Sequence, residues 1–132
     1  MFWDLQKKEK PPNWEEIIKH FPVDFDRGVI VTYGSHIYCK NTLRDDKLVH
    51  EKTHIKQQKE YGVEKWWERY YIDKEFRLSQ EMEAYKNEIE WVKKNITDRN
   101  KRHLMTRQIF TDISSPMYGY IITRQEAQNK LS

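Results

Sequence analysis

The spacing of hydrophobic positions along the chain changes several times, and each change marks an element. Trp14, Ile17, Ile18 and Phe21 fall at helical spacing ahead of Pro22, with Asn13 placed to cap and Glu16 three residues on, a variant of the capping box. The spacing predicts a short amphipathic helix that ends near Pro22. After Arg27 the chain turns to β-branched and aromatic residues on both sides of Gly34-Ser35, a Gly-first pair of the kind that closes hairpins. This predicts strands at 29–33 and 36–40. A helix follows, opening on Asp45 and Asp46 and stopping at Gly62, with its acidic start matched to the helix dipole.

Trp66, Trp67, Tyr70 and Tyr71 then repeat as adjacent aromatic pairs one helical turn apart, which makes one broad buried face and assigns them to the core. A third long helix is predicted from Ser79, carrying Ala84, Ile89, Trp91 and Val92. The stretch 98–114 reads as helical, 114–122 as a turn followed by an extended piece, and 123–131 as a short closing helix. The order is an N-terminal helix, a β-hairpin and then mainly helices, an α+β chain. With no internal repeat, low-complexity segment or Gly/Ser linker, residues 1–132 are expected to form a single domain around a single core.

Composition narrows the class. Charged residues make up 34% of the chain, 24 basic against 21 acidic, so both signs are mixed along it and the surface is not that of a polyanion-binding tail. The basic cluster Lys94, Arg99, Lys101, Arg102 and Arg107 reads as a solvated helix face, and nucleic acid is not an expected partner. Aromatic residues, at 14%, are to supply much of the core. Cys39 stands alone and can form no internal disulfide, while the start MFWDLQKKEK lacks the layout of a signal peptide, so a reducing cytoplasm is the expected compartment. No apolar run approaches the roughly 20 residues that cross a bilayer, and no membrane partner is expected.

The chemistry concentrates in LVHEKTHIKQ, residues 48–57, which contains His-Glu-x-x-His. On a helix, residues four apart lie about 40 degrees apart in projection, so His50 and His54 present two imidazoles toward one point. Glu51 falls on the same side, where its carboxylate reaches a metal-held water without being a ligand. Two neutral nitrogens to hold zinc and a carboxylate to take a proton from its water are the parts of a zinc hydrolase. Lys52 and Lys56 project to the opposite side. A catalytic zinc usually has three protein ligands, and the later segment LSQEMEAYKNE offers Glu81, Glu83 and Glu88.

HEKTH followed by Glu81-Met82-Glu83-Ala84-Tyr85 resembles the gluzincin arrangement, in which the third ligand opens a Glu-x-x-Ala pattern on a second helix. Prenyl-protein endopeptidases, heat-shock membrane peptidases and small minimal gluzincins, some of them phage-encoded, share the pattern. The resemblance covers about residues 29–92. It implies a minimal zincin-like fold, one zinc ion per chain on His50, His54 and Glu81, and Ala84 as the small residue that lets the two helices approach. Tyr85 stands where several relatives have an aspartate, which leaves the partner of a ligand histidine unassigned.

The function expected from these readings is a zinc-dependent peptidase with Glu51 as general base, acting on a peptide or a flexible protein loop in a shallow cleft. The free edge of the hairpin, at Val29, Val31 and Tyr33, is the candidate substrate strand. Tyr118 is a candidate to stabilise the oxyanion. The alternative is a catalytically silent zinc-bound scaffold, for example a phage structural or assembly protein with an unidentified assembly partner, located in the host cytoplasm or the virion. His36 and Cys39 read as ordinary strand residues, and His20 and His103 as surface or capping histidines.

Overall fold

The computed structural model of the chain describes residues 5–132; Met1 to Asp4, which open the stretch weighed for a leader, lie outside them. The order of elements is β1 (Gln6–Lys7), α1 (Trp14–His20), β2 (Val31–Tyr33), β3 (His36–Tyr38), α2 (Asp45–Tyr61), α3 (Val63–Ile72), α4 (Lys74–Asn95), α5 (Arg99–Ile113) and α6 (Arg124–Leu131). The chain is therefore α+β and mainly helical. No helix among the described residues is long and apolar enough to cross a membrane.

The hairpin turns at Gly34, whose φ of 63° no β-branched residue adopts without strain, and Tyr33 pairs with His36 across it. The strands are shorter than the alternation predicts: the ladder between them runs only from Val31 opposite Tyr38 to Tyr33 opposite His36. β1 was not foreseen, since a two-residue strand in a run of lysines shows no alternation. It pairs with β3 in parallel, Gln6 opposite Ile37, so the sheet order is β1-β3-β2 and β2 is an outer strand.

Several local expectations need correction. Asn13 stands at the N-cap of α1 but makes no capping bond; its side chain instead donates to the Tyr71 hydroxyl at 2.9 Å, because α3 packs against this helix end. Ile18 is 44% exposed, on the outer side of α1. The helix that carries the third-ligand candidates starts at Lys74, five residues earlier than predicted, since Asp73 breaks from α3 and accepts a capping bond from the Phe76 backbone. The expected extended piece near Tyr120 is not a strand. One 3-10 turn, Pro116–Tyr118, leads into Gly119 and Tyr120, both with positive φ, and the chain then folds Ile122 inward.

The single core is also corrected. Buried apolar residues form two clusters, one built by α1, β2 and α3 around Trp14, Phe21, Trp66 and Tyr70, the other by α4, α5 and α6 around Tyr85, Ile109, Ile113 and Leu131. α2 runs with a face that is polar where it is buried: of its buried residues only Leu48 is apolar, and the others include His50, Glu51, His54, Gln57 and Gln58. Facing it, α4 buries Glu81, Ala84, Tyr85, Glu88 and Val92, a stripe at helical spacing. Ala84 is fully buried on that stripe, leaving room for close helix contact.

Gln58 fixes the hairpin to α2. Fully buried, it donates to the Thr32 carbonyl at 2.8 Å and accepts from the Gly34 backbone N–H at 2.7 Å. Gln58→Leu leaves the buried Thr32 carbonyl and the half-buried Gly34 N–H without this partner. A buried unpaired group costs about 1–3 kcal/mol, so urea denaturation of the variant is expected to show a loss of about that size.

Candidate metal centre

The four groups that the sequence singles out meet at the seam between the two clusters, and all are buried: His50, Glu51, His54 and Glu81. The Nε2 atoms of His50 and His54 lie 3.1 Å apart. Glu81 brings Oε1 to 3.1 Å from the first and 3.3 Å from the second. Glu51 stands further back, its Oε2 3.7 Å from His50 Nε2, with Oε1 accepting from the Thr32 hydroxyl at 3.0 Å. His50, Glu51 and His54 form a group that can hold a metal ion.

The outer halves of the two imidazoles decide what the inner halves offer. His50 turns Nδ1 to Glu88 Oε1 at 3.0 Å, and a carboxylate only accepts, so that nitrogen carries the hydrogen. His54 turns Nδ1 to Gln57 Oε1 at 2.8 Å. Gln57 cannot be flipped, because its amide nitrogen donates to the Gln80 carbonyl at 3.0 Å and to Glu83 at 2.8 Å. Nδ1 of His54 is therefore also a donor. In their neutral forms both rings then point a bare Nε2 lone pair at the other and at the Glu81 carboxylate.

Three electron-rich atoms facing one buried point require a cation. Their separations of 3.1, 3.1 and 3.3 Å are those of ligands around one small metal ion. Four ligands around zinc at about 2.0–2.1 Å stand roughly 3.3–3.4 Å from one another at tetrahedral angles. The donor set, two imidazoles and a carboxylate, is also one that zinc accepts.

Without a metal, protons fill the same role. Burial alone would lower the basicity of His50, but the Glu51, Glu81 and Glu88 carboxylates outweigh it and raise its pKa to about 10. His54 is opposed by burial too and raised chiefly by Glu81. Burial would push Glu81 upward, yet the two histidines hold it well below the usual carboxylate range. Glu51 moves the other way, raised by burial against the pull of the histidines.

A second ring of contacts holds these groups in place. Glu88, on α4 two turns beyond Glu81, takes the part that the gluzincin resemblance left open at Tyr85, and its other oxygen accepts from Lys47 at 3.0 Å. Tyr85 instead lays its ring edgewise on His50, with centroids 4.2 Å apart. Tyr70 donates its hydroxyl to Glu81 Oε2 at 2.7 Å and Trp66 packs on His54, so two members of the aromatic stripe belong to this site as well as to the core. Helical spacing of aromatics could not distinguish the two roles. Lys52 and Lys56 are exposed, as the projection requires.

The remaining candidates divide. Tyr118 reaches the cavity beside these groups and shares a hydrogen bond of 2.7 Å with the Tyr85 hydroxyl; burial and Glu81 keep its phenol protonated. Val31 and Tyr33 lie on the outer strand, with Val29 just before it. Yet the backbone groups of Val31 and Tyr33 face β3, so the outward ones belong to Thr32 and, by alternation, Ile30. The Thr32 carbonyl is already taken by Gln58. His20 stacks on Tyr71, His103 is exposed, and the buried Cys39 thiol is pushed up by burial and by Glu51, away from reactivity. Comparison of the chain with protein-family models, with curated proteins and with solved structures returned no match.

Because a metal ion here would compete with protons for the same lone pairs, metal uptake is expected to release protons. Both histidines hold their protons above the ordinary imidazole range in the metal-free protein, so affinity should climb with pH through neutrality. Calorimetric titration with zinc in two buffers of different ionisation enthalpy counts the protons released at pH 7, where at least one per chain is expected. Binding of one equivalent should raise the melting temperature, and His54→Ala should abolish both effects.

Proposed function

We propose that the protein is a minimal zincin-like zinc peptidase that hydrolyses peptide bonds. The observation that carries the reading is the convergence of two fixed Nε2 lone pairs and the Glu81 carboxylate, with a further buried carboxylate, Glu51, beside them and not among them. His50, His54 and Glu81 would hold the ion. When bound, zinc supplies a water of lowered pKa and a positive charge that polarises a carbonyl. Everything else falls to the chain.

Glu51 has the position and the polarity of a general base. Its carboxylate is held by Thr32 on one oxygen, which leaves Oε2 facing the site to accept a proton. Burial raises its pKa, which favours a group that must first take a proton and then return it to a leaving amine. Glu88 and Gln57 keep the histidine tautomers fixed, and Tyr70 orients Glu81. Tyr118 offers a protonated phenol at the cavity wall, suited to a developing oxyanion. A peptide would lie along β2, using the outward backbone of Ile30 and the Thr32 N–H.

Glu51→Gln separates this reading from a silent zinc-bound scaffold. The amide keeps the shape and touches no proposed ligand, so zinc content and melting temperature should stay near wild type. Cleavage of unstructured peptides should fall by roughly 10²–10⁴. Cleavage that persists in the variant would show that Glu51 is not the base, and zinc-loaded wild type that cuts nothing would favour the scaffold. Glu81→Gln should weaken zinc retention strongly. Glu83→Gln should not, since an amide oxygen still accepts from Gln57.

A further inference from the structure

The cavity above the four groups is neither shallow nor uniform. It encloses about 220 Å³ and continues from the polar floor into the first aromatic cluster. One end is walled by Ile17, Phe21, Val23, Val29 and Trp67, contributed by α1, the segment after it, the approach to β2, and α3. These side chains offer no charge and one donor, the Trp67 indole N–H, which is buried without a partner among the described residues. Lys47, Asp112 and Tyr118 supply the polar remainder of the wall.

Size and lining restrict what can enter. A drug-sized ligand or cofactor fills about 300–1,000 Å³, more than is present. Water in an apolar recess of this kind is poorly held, because it finds few of the two to four polar partners it needs. One large side chain, attached to a backbone that stays outside along β2, matches both the volume and the chemistry. The apolar end adjoins the residues 28–32 where such a backbone would run.

We propose that this recess is a specificity pocket for one bulky apolar side chain, aromatic or long aliphatic, next to the bond presented to His50, His54 and Glu81. The position of a bond to be cut rests on the peptidase reading; occupancy of the pocket does not. An acidic or small side chain gains nothing there. Discrimination of at least about tenfold between a large apolar residue and glycine is what an apolar pocket of one-residue size delivers.

The test uses binding first and cleavage second. Metal-free and zinc-loaded protein are titrated with the N-acetyl amides of phenylalanine, leucine, glycine and aspartate, following the indole N–H resonance of Trp67, assigned by its loss in Trp67→Phe. The phenylalanine and leucine probes should shift that resonance with an apparent Kd at least about tenfold lower than the other two. Val29→Phe and Val23→Phe, at half-buried positions, each fill the pocket and should remove this binding while zinc content and melting temperature hold. Two filling variants are used so that a folding defect in one leaves the other to decide. Equal binding of all four probes, or selective binding that survives filling in a folded variant, overturns the pocket. Selective binding by a protein that cleaves no peptide leaves the pocket standing and overturns the peptidase reading alone. If peptides are cut, the bonds should flank Phe, Leu or Met in wild type and shift to small residues in the filled variants.

Discussion

Two buried imidazoles that donate outward and therefore present bare lone pairs inward are the constraint around which the protein is organised. Glu88 and Gln57 each claim an Nδ1 hydrogen, and the Glu81 carboxylate closes the third side. In a low-dielectric seam that arrangement is unfavourable unless positive charge occupies its centre. A metal ion satisfies all three atoms at once, whereas protons satisfy them one at a time. The raised basicity of both histidines and the depressed carboxylate of Glu81 are the same demand expressed in protons.

The rest of the fold bears the cost of that seam. α2 meets α4 through a buried face that is polar apart from Leu48, while α4 answers with Glu81 and Glu88 interleaved with Ala84, Tyr85 and Val92, and the larger apolar clusters lie to either side. The first cluster is aromatic and short-range in sequence along α3, with rings of Trp66 and Tyr70 stacked 4.7 Å apart. It serves the seam directly through Tyr70 and Trp66. The second holds α4 in register through Ile89, Ile109 and Ile113, on the same helix that delivers Glu81 and Glu88. Gln58 adds the hairpin to this frame by making its side chain the outer neighbour of β2.

Asymmetry between the carboxylates follows from their partners rather than from their type. Glu81 is drawn in by two histidines and a tyrosine hydroxyl, Glu88 is neutralised from behind by Lys47, and Glu51 is left with a threonine and a desolvated environment. The first becomes more acidic, the last less so. One buried seam thus holds three carboxylates in three electrostatic settings, distinguished by which helix face and which neighbour each received.

Much of this was legible in the sequence, wherever the determining interaction is local. The spacing of His50, Glu51 and His54 fixes their common side of a helix, Gly34 fixes the hairpin turn, and Gly62 ends α2, because each depends on backbone geometry within a few residues. Glu81 was reachable through the Glu-x-x-Ala pattern, and burial of the aromatic stripe through its period. Other features depend on how distant segments come into register. Only α2 packed on α4 shows that Glu88 reaches His50 from 38 residues away and takes the place that Tyr85 could not. Only that packing gives Gln57 its fixed amide and turns Tyr70 from a core residue into a hydrogen-bond donor. β1 and the division of the core into two clusters escape sequence patterns for the same reason. A pair of lysine-flanked residues becomes a strand, and a polar helix face becomes an interior, only when another part of the chain arrives to satisfy their hydrogen bonds.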